Sequence, residues 1–506
     1  MTSPRGLLEF WRNELPHAPA ARWASLFFSL HVLTLLISLA ASEAFLAAAT
    51  VAYAVHLLRL RPAISFPPVK LPLLLFCLAT VNSMLWSRDA ALGGFVLRKL
   101  VLFLILLLSV NLVVSARHLG ALFRLLFIEA GLAGFVGIAQ FVIQYERVRS
   151  FRQNVVYIYM TVTRIHGFMG HWMNFGGQQM LVFAALLAFV LLLDGVIPST
   201  ARNLALLRGG SRREVQSNIP GGVYPERTAE ILRCAQDDSE RARNDTLQDG
   251  KAQGLYWLVL AVVSISLVLN FTRGAWLGCM VATLYILARR KPRMLWAVPI
   301  VLVVFGLAAP SLIRRRLLLA FHPRQDPALA IRLEMWEGGL RMVREHPWVG
   351  VGPGNVPMLY TKYLPPGTIP IVGYHEHLHD NFLQLAAERG LPCLVAWLWF
   401  MLALGWHILR IRRRLTSRRW VADAAFAAWL AFVAEGFFEF NFGTSPVLMV
   451  FLFLMSTPFI AENLESRAKE PSSPQRSQSS RSNAEAGFLR GLRVLCGGPF
   501  LRRAGS

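Results

Sequence analysis

The chain has 506 residues, of which 55% are hydrophobic and only 16% charged. That balance excludes an ordinary soluble domain, and apolar runs of about 17–25 residues, long enough to cross a bilayer as a helix, recur along it. The net charge of +23 is no sign of a nucleic-acid partner, because much of the Arg and Lys sits in short loops between apolar runs and no basic patch with interleaved aromatics stands apart from them.

The predicted fold class is all-α, a polytopic helical membrane protein with about twelve transmembrane helices and a structured extracytoplasmic loop containing short helices. Short alternating segments of the kind that build membrane β-barrels are absent. Residues 1–22 read as a cytoplasmic N-terminus. Spans one to six fill 23–196, near 23–40, 43–60, 70–86, 97–115, 120–143 and 174–194. No cleavable signal peptide is evident, so the first apolar run, Trp23–Leu39, is expected to act as an uncleaved anchor.

Residues 197–253 mix charges with Gly, Ser, Asn and Asp, and cannot bury enough apolar surface to offset ordering entropy. They read as a disordered cytoplasmic insertion. Spans seven to nine follow in 254–310, near 254–271, 274–289 and 294–310, and spans ten to twelve in 382–462, near 382–408, 420–440 and 444–461. The Ser- and Arg-rich tail, 463–506, reads like the insertion. Both termini face the cytoplasm if the basic loops do. Those loops hold Arg59, Arg61 and Lys70, then Arg117, then Arg289, Arg290, Lys291 and Arg293, and most strongly Arg410, Arg412, Arg413, Arg414, Arg418 and Arg419.

That orientation places the loop at 311–381 outside the cytoplasm. Pro327–Val343 has helical periodicity in Leu329, Ile331, Leu333, Met335, Trp336 and Leu340, and His346-Pro347 should end that helix, since the residue before proline is pushed out of the α region. Gly350-Val-Gly-Pro-Gly-Asn355 then reads as a tight turn. It resembles a phosphate cradle but lacks the Gly-Lys-Ser/Thr ending of a P-loop. The five cysteines are scattered, with no metal-ligand spacing, and their odd number disfavours a disulfide framework.

The densest ionisable cluster lies where this loop re-enters the membrane, in His375-Glu-His-Leu-His-Asp-Asn-Phe-Leu-Gln-Leu-Ala-Ala-Glu-Arg-Gly-Leu-Pro392. Placing ionisable groups there is costly, which marks a functional site. His379 directly precedes a span and is suited to general-base work near neutral pH. His377, Asp380 and Glu388 are candidate supporting residues, with Asp380 or Glu388 able to fix the ring's tautomer. Two other readings stay open: a zinc site on His375, His377 and His379, and a purely structural interfacial histidine. Neither a metal nor a cofactor is expected.

Three arginines are expected on the same side: Arg164 in Arg164-Ile-His-Gly-Phe-Met-Gly-His-Trp-Met-Asn, Arg273 in the tight turn Thr272-Arg-Gly-Ala-Trp276, and Arg332 on the loop helix. Guanidinium groups grip phosphate oxygens bidentately, so the three suggest a lipid-linked phosphate or diphosphate, although each alone could merely snorkel. Glu435 and Glu439, four apart near the outer end of span eleven, share a helical face and could pair with an arginine or relay protons.

These motifs together resemble the O-antigen ligase family. His-Asp-Asn-Phe-Leu-Gln…Glu-Arg-Gly-Leu-Pro at 379–392 is similar to its histidine motif, Thr272-Arg-Gly-Ala to its Ser-Arg-Gly-Ala segment, and the Arg164 stretch to its Arg…Gly…Pro-Asn segment. Arg332…Trp336 with Pro347…Gly350-Val-Gly-Pro-Gly354 resembles the section preceding the histidine. The departures are Asp380 for the usual Asn, Trp172 for Pro, Cys393 for a second Gly, and the 197–253 insertion.

The resemblance implies a metal-independent glycosyltransferase of the bacterial inner membrane, with its site facing the periplasm. It would move a glycan from an undecaprenyl-diphosphate carrier to an acceptor, most readily lipid A-core. His379 would be the base, Arg164 and Arg273 would hold the diphosphate, and Arg332 would assist. The alternatives are a polymerase, a protein O-oligosaccharyltransferase and, from another class, a transporter of lipid-linked sugars. A transporter should show repeats with broken helices in matching halves, and none is visible.

Overall fold

The computed structural model describes residues 13–87, 89–150, 164–193, 253–308, 314, 327–364 and 377–469, and everything below concerns those residues. They are all-helical. The helices are α1 (Pro19–Leu33), α2 (Leu39–Leu60), α3 (Lys70–Leu85), α4 (Ala90–Arg98), α5 (Leu104–Leu112), α6 (Ala116–Ser150) and α7 (Trp172–Leu192). Then come α8 (Gln253–Asn270), α9 (Arg273–Arg290), α10 (Ala297–Ala308), α11 (Pro327–Glu345), α12 (Val356–Tyr363), α13 (Asn381–Arg414), α14 (Arg419–Glu435) and α15 (Ser445–Lys469). A 3-10 turn, Lys99–Phe103, joins α4 to α5.

Each of the twelve predicted spans falls on helix, but among the described residues length and composition support fewer than twelve crossings. Seven helical stretches are long and apolar enough to cross a membrane. The other five predicted segments are shorter or more charged. α3 has 16 residues, α1 has 15 and α14 has 17, α10 has 12, and α9 carries Arg273, Arg289 and Arg290 within its 18. This is a multi-pass helical membrane protein. The described residues up to Glu462 form one compact unit, and α15 runs on to Lys469, past the point where the tail was expected to begin. The rest of that tail and nearly all of the 197–253 insertion lie outside the described residues.

α7, among the most buried helices, packs on α9 and α14, which pack on each other, while α13 lies against α3, α14 and α11. Small residues allow the close approach that helices in a bilayer use instead of hydrophobic collapse. A side chain at Gly176 would meet Asn270 Oδ1 at 2.7 Å, and one at Gly177 would meet Glu435 Oε2 at 3.4 Å. Buried amides tie the bundle together. Gln178 donates to the Leu35 carbonyl at 2.8 Å, and Gln179 to that of Ala130 at 3.0 Å.

The loop helix predicted over 327–343 is α11, and it ends at Glu345, just before His346-Pro347. α11 and α12 share a small core of Met335, Met342, Val356, Tyr360 and Tyr363, completed by Leu378 and Ala387. The described part of the loop is thus a folded layer that holds the His379 segment from one side.

α13 contains a break that the sequence reading did not foresee, at Gly390, whose φ is 82°. Backbone groups freed within a membrane helix need partners. The glycine-rich turn supplies them: the N–H groups of Val351 and Gly352 donate to the Ala387 and Glu388 carbonyls at 2.8 and 2.9 Å. Leu391 N–H donates to the Pro347 carbonyl at 2.7 Å, and the Ser83 hydroxyl donates to the Val349 and Glu388 carbonyls. A Cβ on Gly390 would run into the Trp348 carbonyl, and positive φ would strain it further. Gly390→Ala is therefore expected to destabilise the folded protein by about 1–3 kcal/mol, read as a lowered unfolding midpoint in detergent.

Candidate functional site

His379 sits immediately before Asp380, the N-cap of α13, whose carboxylate accepts the Leu383 N–H at 2.7 Å. Burial pushes the Asp380 carboxyl upward, and the Leu383 and Phe382 N–H groups pull it partly back. His379 itself has φ of 51°, a left-handed conformation uncommon for any residue but glycine, so its surroundings must hold it there. They do so on both sides. Gln384 accepts the Leu378 N–H at 2.7 Å, Trp336 of α11 donates to the Leu378 carbonyl at 3.1 Å, and Asn381 N–H donates to the Gly436 carbonyl at 2.8 Å.

The buried His379 ring bonds through Nδ1 to Glu439 Oε2 at 2.9 Å, and the other oxygen of Glu439 accepts from Arg332 at 2.5 Å. Arg332, Glu439 and His379 therefore form one chain. Burial pushes the Glu439 carboxyl up, but the Arg332 charge and the His379 bond outweigh it and hold the group at about 2. It is ionised throughout the neutral range. Neither Asp380 nor Glu388 orients the imidazole as anticipated: Asp380 caps the helix, and Glu388 accepts the Gly354 N–H at 3.0 Å.

His377 packs edge-on against His379 with ring centroids 4.2 Å apart, and its Nδ1 faces the His379 N–H at 3.4 Å. Burial, then the neighbouring His379, pushes the His377 ring down to about 3, so it stays neutral. His375 lies outside the described residues. Among those described, no three His, Cys, Asp or Glu side chains are placed to hold a metal ion.

Glu435 and Glu439 do come together, although α14 ends at Glu435. The backbone keeps one further turn there, with Glu439 N–H donating to the Glu435 carbonyl at 3.0 Å. Asn441 donates to Glu435 Oε2 at 3.0 Å, and Asn381 donates to Asn441 at 2.6 Å. The Asn381–Asn441 pair links the start of α13 to the segment bearing both carboxylates. The sequence reading assigned neither asparagine a role.

Arg273 opens α9 after its N-cap Thr272, and Phe271, with φ of 57°, makes the tight turn that was predicted. Its neighbour Gly274 lies against the carboxylate pair, where a Cβ would be 3.2 Å from Glu435 Cγ and 3.6 Å from Glu439 Cγ. Arg164 stacks its guanidinium over Trp172 at 5.3 Å. Two unforeseen amides fix that segment. Asn270 donates to the Ile165 and Trp172 carbonyls at 2.9 and 3.1 Å, and Gln140 accepts from the N–H groups of His166 and Gly167. All four sequence motifs thus converge on one region.

A cavity of about 420 Å³ opens beside this region. His171, His377, Glu435, Glu439 and Asn441 line one part of it, and Lys99, Glu388 and Arg389 another. Arg164, Arg273 and Arg332 are not among its lining residues. Fold and site together define a multi-pass helical membrane protein with a histidine–carboxylate centre set among arginines. Residues 258–398 match the family model of O-antigen ligase. No curated protein matches the chain.

Proposed function

We propose that this protein transfers a glycan from an undecaprenyl-diphosphate carrier to an acceptor hydroxyl on the periplasmic face of the inner membrane, in the manner of an O-antigen ligase. The matched domain supports membrane glycan transfer of the ligase or polymerase type. The observation that carries the chemistry is the His379–Glu439–Arg332 chain. A carboxylate that accepts a hydrogen bond from Nδ1–H keeps the proton on Nδ1 and leaves the lone pair on Nε2, the arrangement a general base needs.

In this reading Nε2 takes the proton of the acceptor hydroxyl as its oxygen bonds to the anomeric carbon. The bond from that carbon to the carrier oxygen breaks, and its electron pair leaves on the diphosphate. Arg164 and Arg273 stabilise the growing negative charge, which fixed cations do well where water is sparse. Glu439 stabilises the imidazolium until it sheds its proton.

The test is reconstitution of the full chain in lipid discs with an undecaprenyl-diphosphate glycan and lipid A-core. Glycan on the core is the expected product. Lengthened carrier-linked glycan would make the protein a polymerase, and carrier binding without any transfer would overturn the glycosyltransferase reading.

A further inference from the structure

Lys99 and Arg389 line the cavity away from any role assigned so far, and both are unusual. Arg389 is 6% exposed, and the break at Gly390 immediately follows it. Its guanidinium lies over the Phe76 ring at 5.5 Å, and Nη1 faces the Thr80 hydroxyl at 3.4 Å. Its buried Nε has no hydrogen-bond partner. The nearest carboxylate, Glu388, stands 3.9 Å from Nε, too far for a hydrogen bond, and already accepts the Gly354 N–H. A buried charged donor left unsatisfied is costly and calls for an occupant.

Lys99 supplies the second cation. Its ammonium has three donors, one of which goes to the Gly443 carbonyl at 2.5 Å. Around Lys99 the positive charges of Lys99, Arg389 and Arg98 outnumber the carboxylates of Glu388 and Glu43, so this part of the cavity is suited to an anion. An Arg edge beside a point-charge Lys suits a phosphoryl group.

We propose that Lys99 and Arg389 form an anion subsite that takes a phosphoryl group of one of the two substrates, separate from the grip assigned to Arg164 and Arg273. The subsite rests on the glycan-transfer reading for the identity of those substrates. Its phosphoryl group comes either from the carrier or from a phosphorylated sugar of the acceptor, and the measurement below separates the two.

The full chain in lipid discs is titrated with four ligands: undecaprenyl diphosphate, undecaprenol, a phosphorylated core oligosaccharide, and the same oligosaccharide after phosphatase treatment. Lys99→Gln and Arg389→Gln are each expected to weaken one phosphorylated ligand about tenfold or more, with its dephosphorylated counterpart unchanged. Loss confined to the carrier pair places the carrier's phosphate in the subsite, and loss confined to the oligosaccharide pair places the acceptor's. Unchanged binding of both phosphorylated ligands, or equal weakening with and without phosphate, overturns the proposal. Lys99→Gln leaves the α13 break untouched, and Arg389→Lys keeps the charge there, so misfolding of Arg389→Gln alone does not decide the matter. Binding is read without turnover, so a protein that shows the subsite but transfers no glycan would refute the transfer reading and keep this one.

Discussion

His379→Ala is expected to lower glycan transfer by about 10²–10⁴-fold while leaving carrier binding close to wild type. The ring is the only part of this segment that bonds to Glu439 through a titratable nitrogen. The backbone around it is held independently, by Gln384, Trp336 and the Asn381–Gly436 bond. Removing the imidazole should therefore remove the base without collapsing the loop. Single-turnover transfer and a separate carrier titration check this together, and transfer at the wild-type rate would end the assignment of His379 as base.

Glu439→Gln is expected to cost about a hundredfold or more in transfer, because an amide neither fixes the Nδ1–H tautomer reliably nor stabilises the imidazolium. It should also destabilise the protein by about 3 kcal/mol, since Arg332 loses its carboxylate in a largely buried setting. The pH dependence has a definite sign. The folded-state carboxyl is held below its ordinary value, so its contribution is fully present above that value and is lost as pH falls through about 2. Wild type and Glu439→Gln should thus converge in stability at strongly acid pH and diverge towards neutral.

A double variant separates two roles for Arg332. If Arg332 acts through Glu439, then Arg332→Met adds no further loss of transfer to Glu439→Gln. An additive loss would give Arg332 its own contact with the diphosphate, as the sequence resemblance suggested.

What the sequence revealed follows from what is local in it. Hydrophobic length placed helix under every predicted span, and the proline after His346 marked the end of α11 to within a residue. Local signals also brought out His379 and the two carboxylates, because charge next to an apolar run stands out. The pairing of one of these carboxylates with an arginine was anticipated, and Arg332 is that partner of Glu439, but the partnership with the histidine was not legible. Glu439 reaches His379 across 60 positions, and nothing at either residue distinguishes that pairing from the nearer Asp380 or Glu388. Residues that position others were hidden for a similar reason. Gln140, Asn270, Asn381 and Asn441 are ordinary polar residues until the backbones they hold arrive from elsewhere. Span length misled where a turn shortens a helix, as at Gly436, which ends α14 short of the predicted 420–440.

The clamp of the glycine-rich turn on the Gly390 break has a consequence for biogenesis. The ribosome makes Pro347–Gly352 well before it makes Ala387–Leu391, so during synthesis the Val351 and Gly352 amides and the Pro347 carbonyl exist before their partners. Until α13 has entered the bilayer, the turn has no partner for its amides and α11 has no wall to close its core. Completion of the α11–α12 layer is thereby coupled to insertion of α13, and a chain truncated before Leu378 would lack the side chains that close its core.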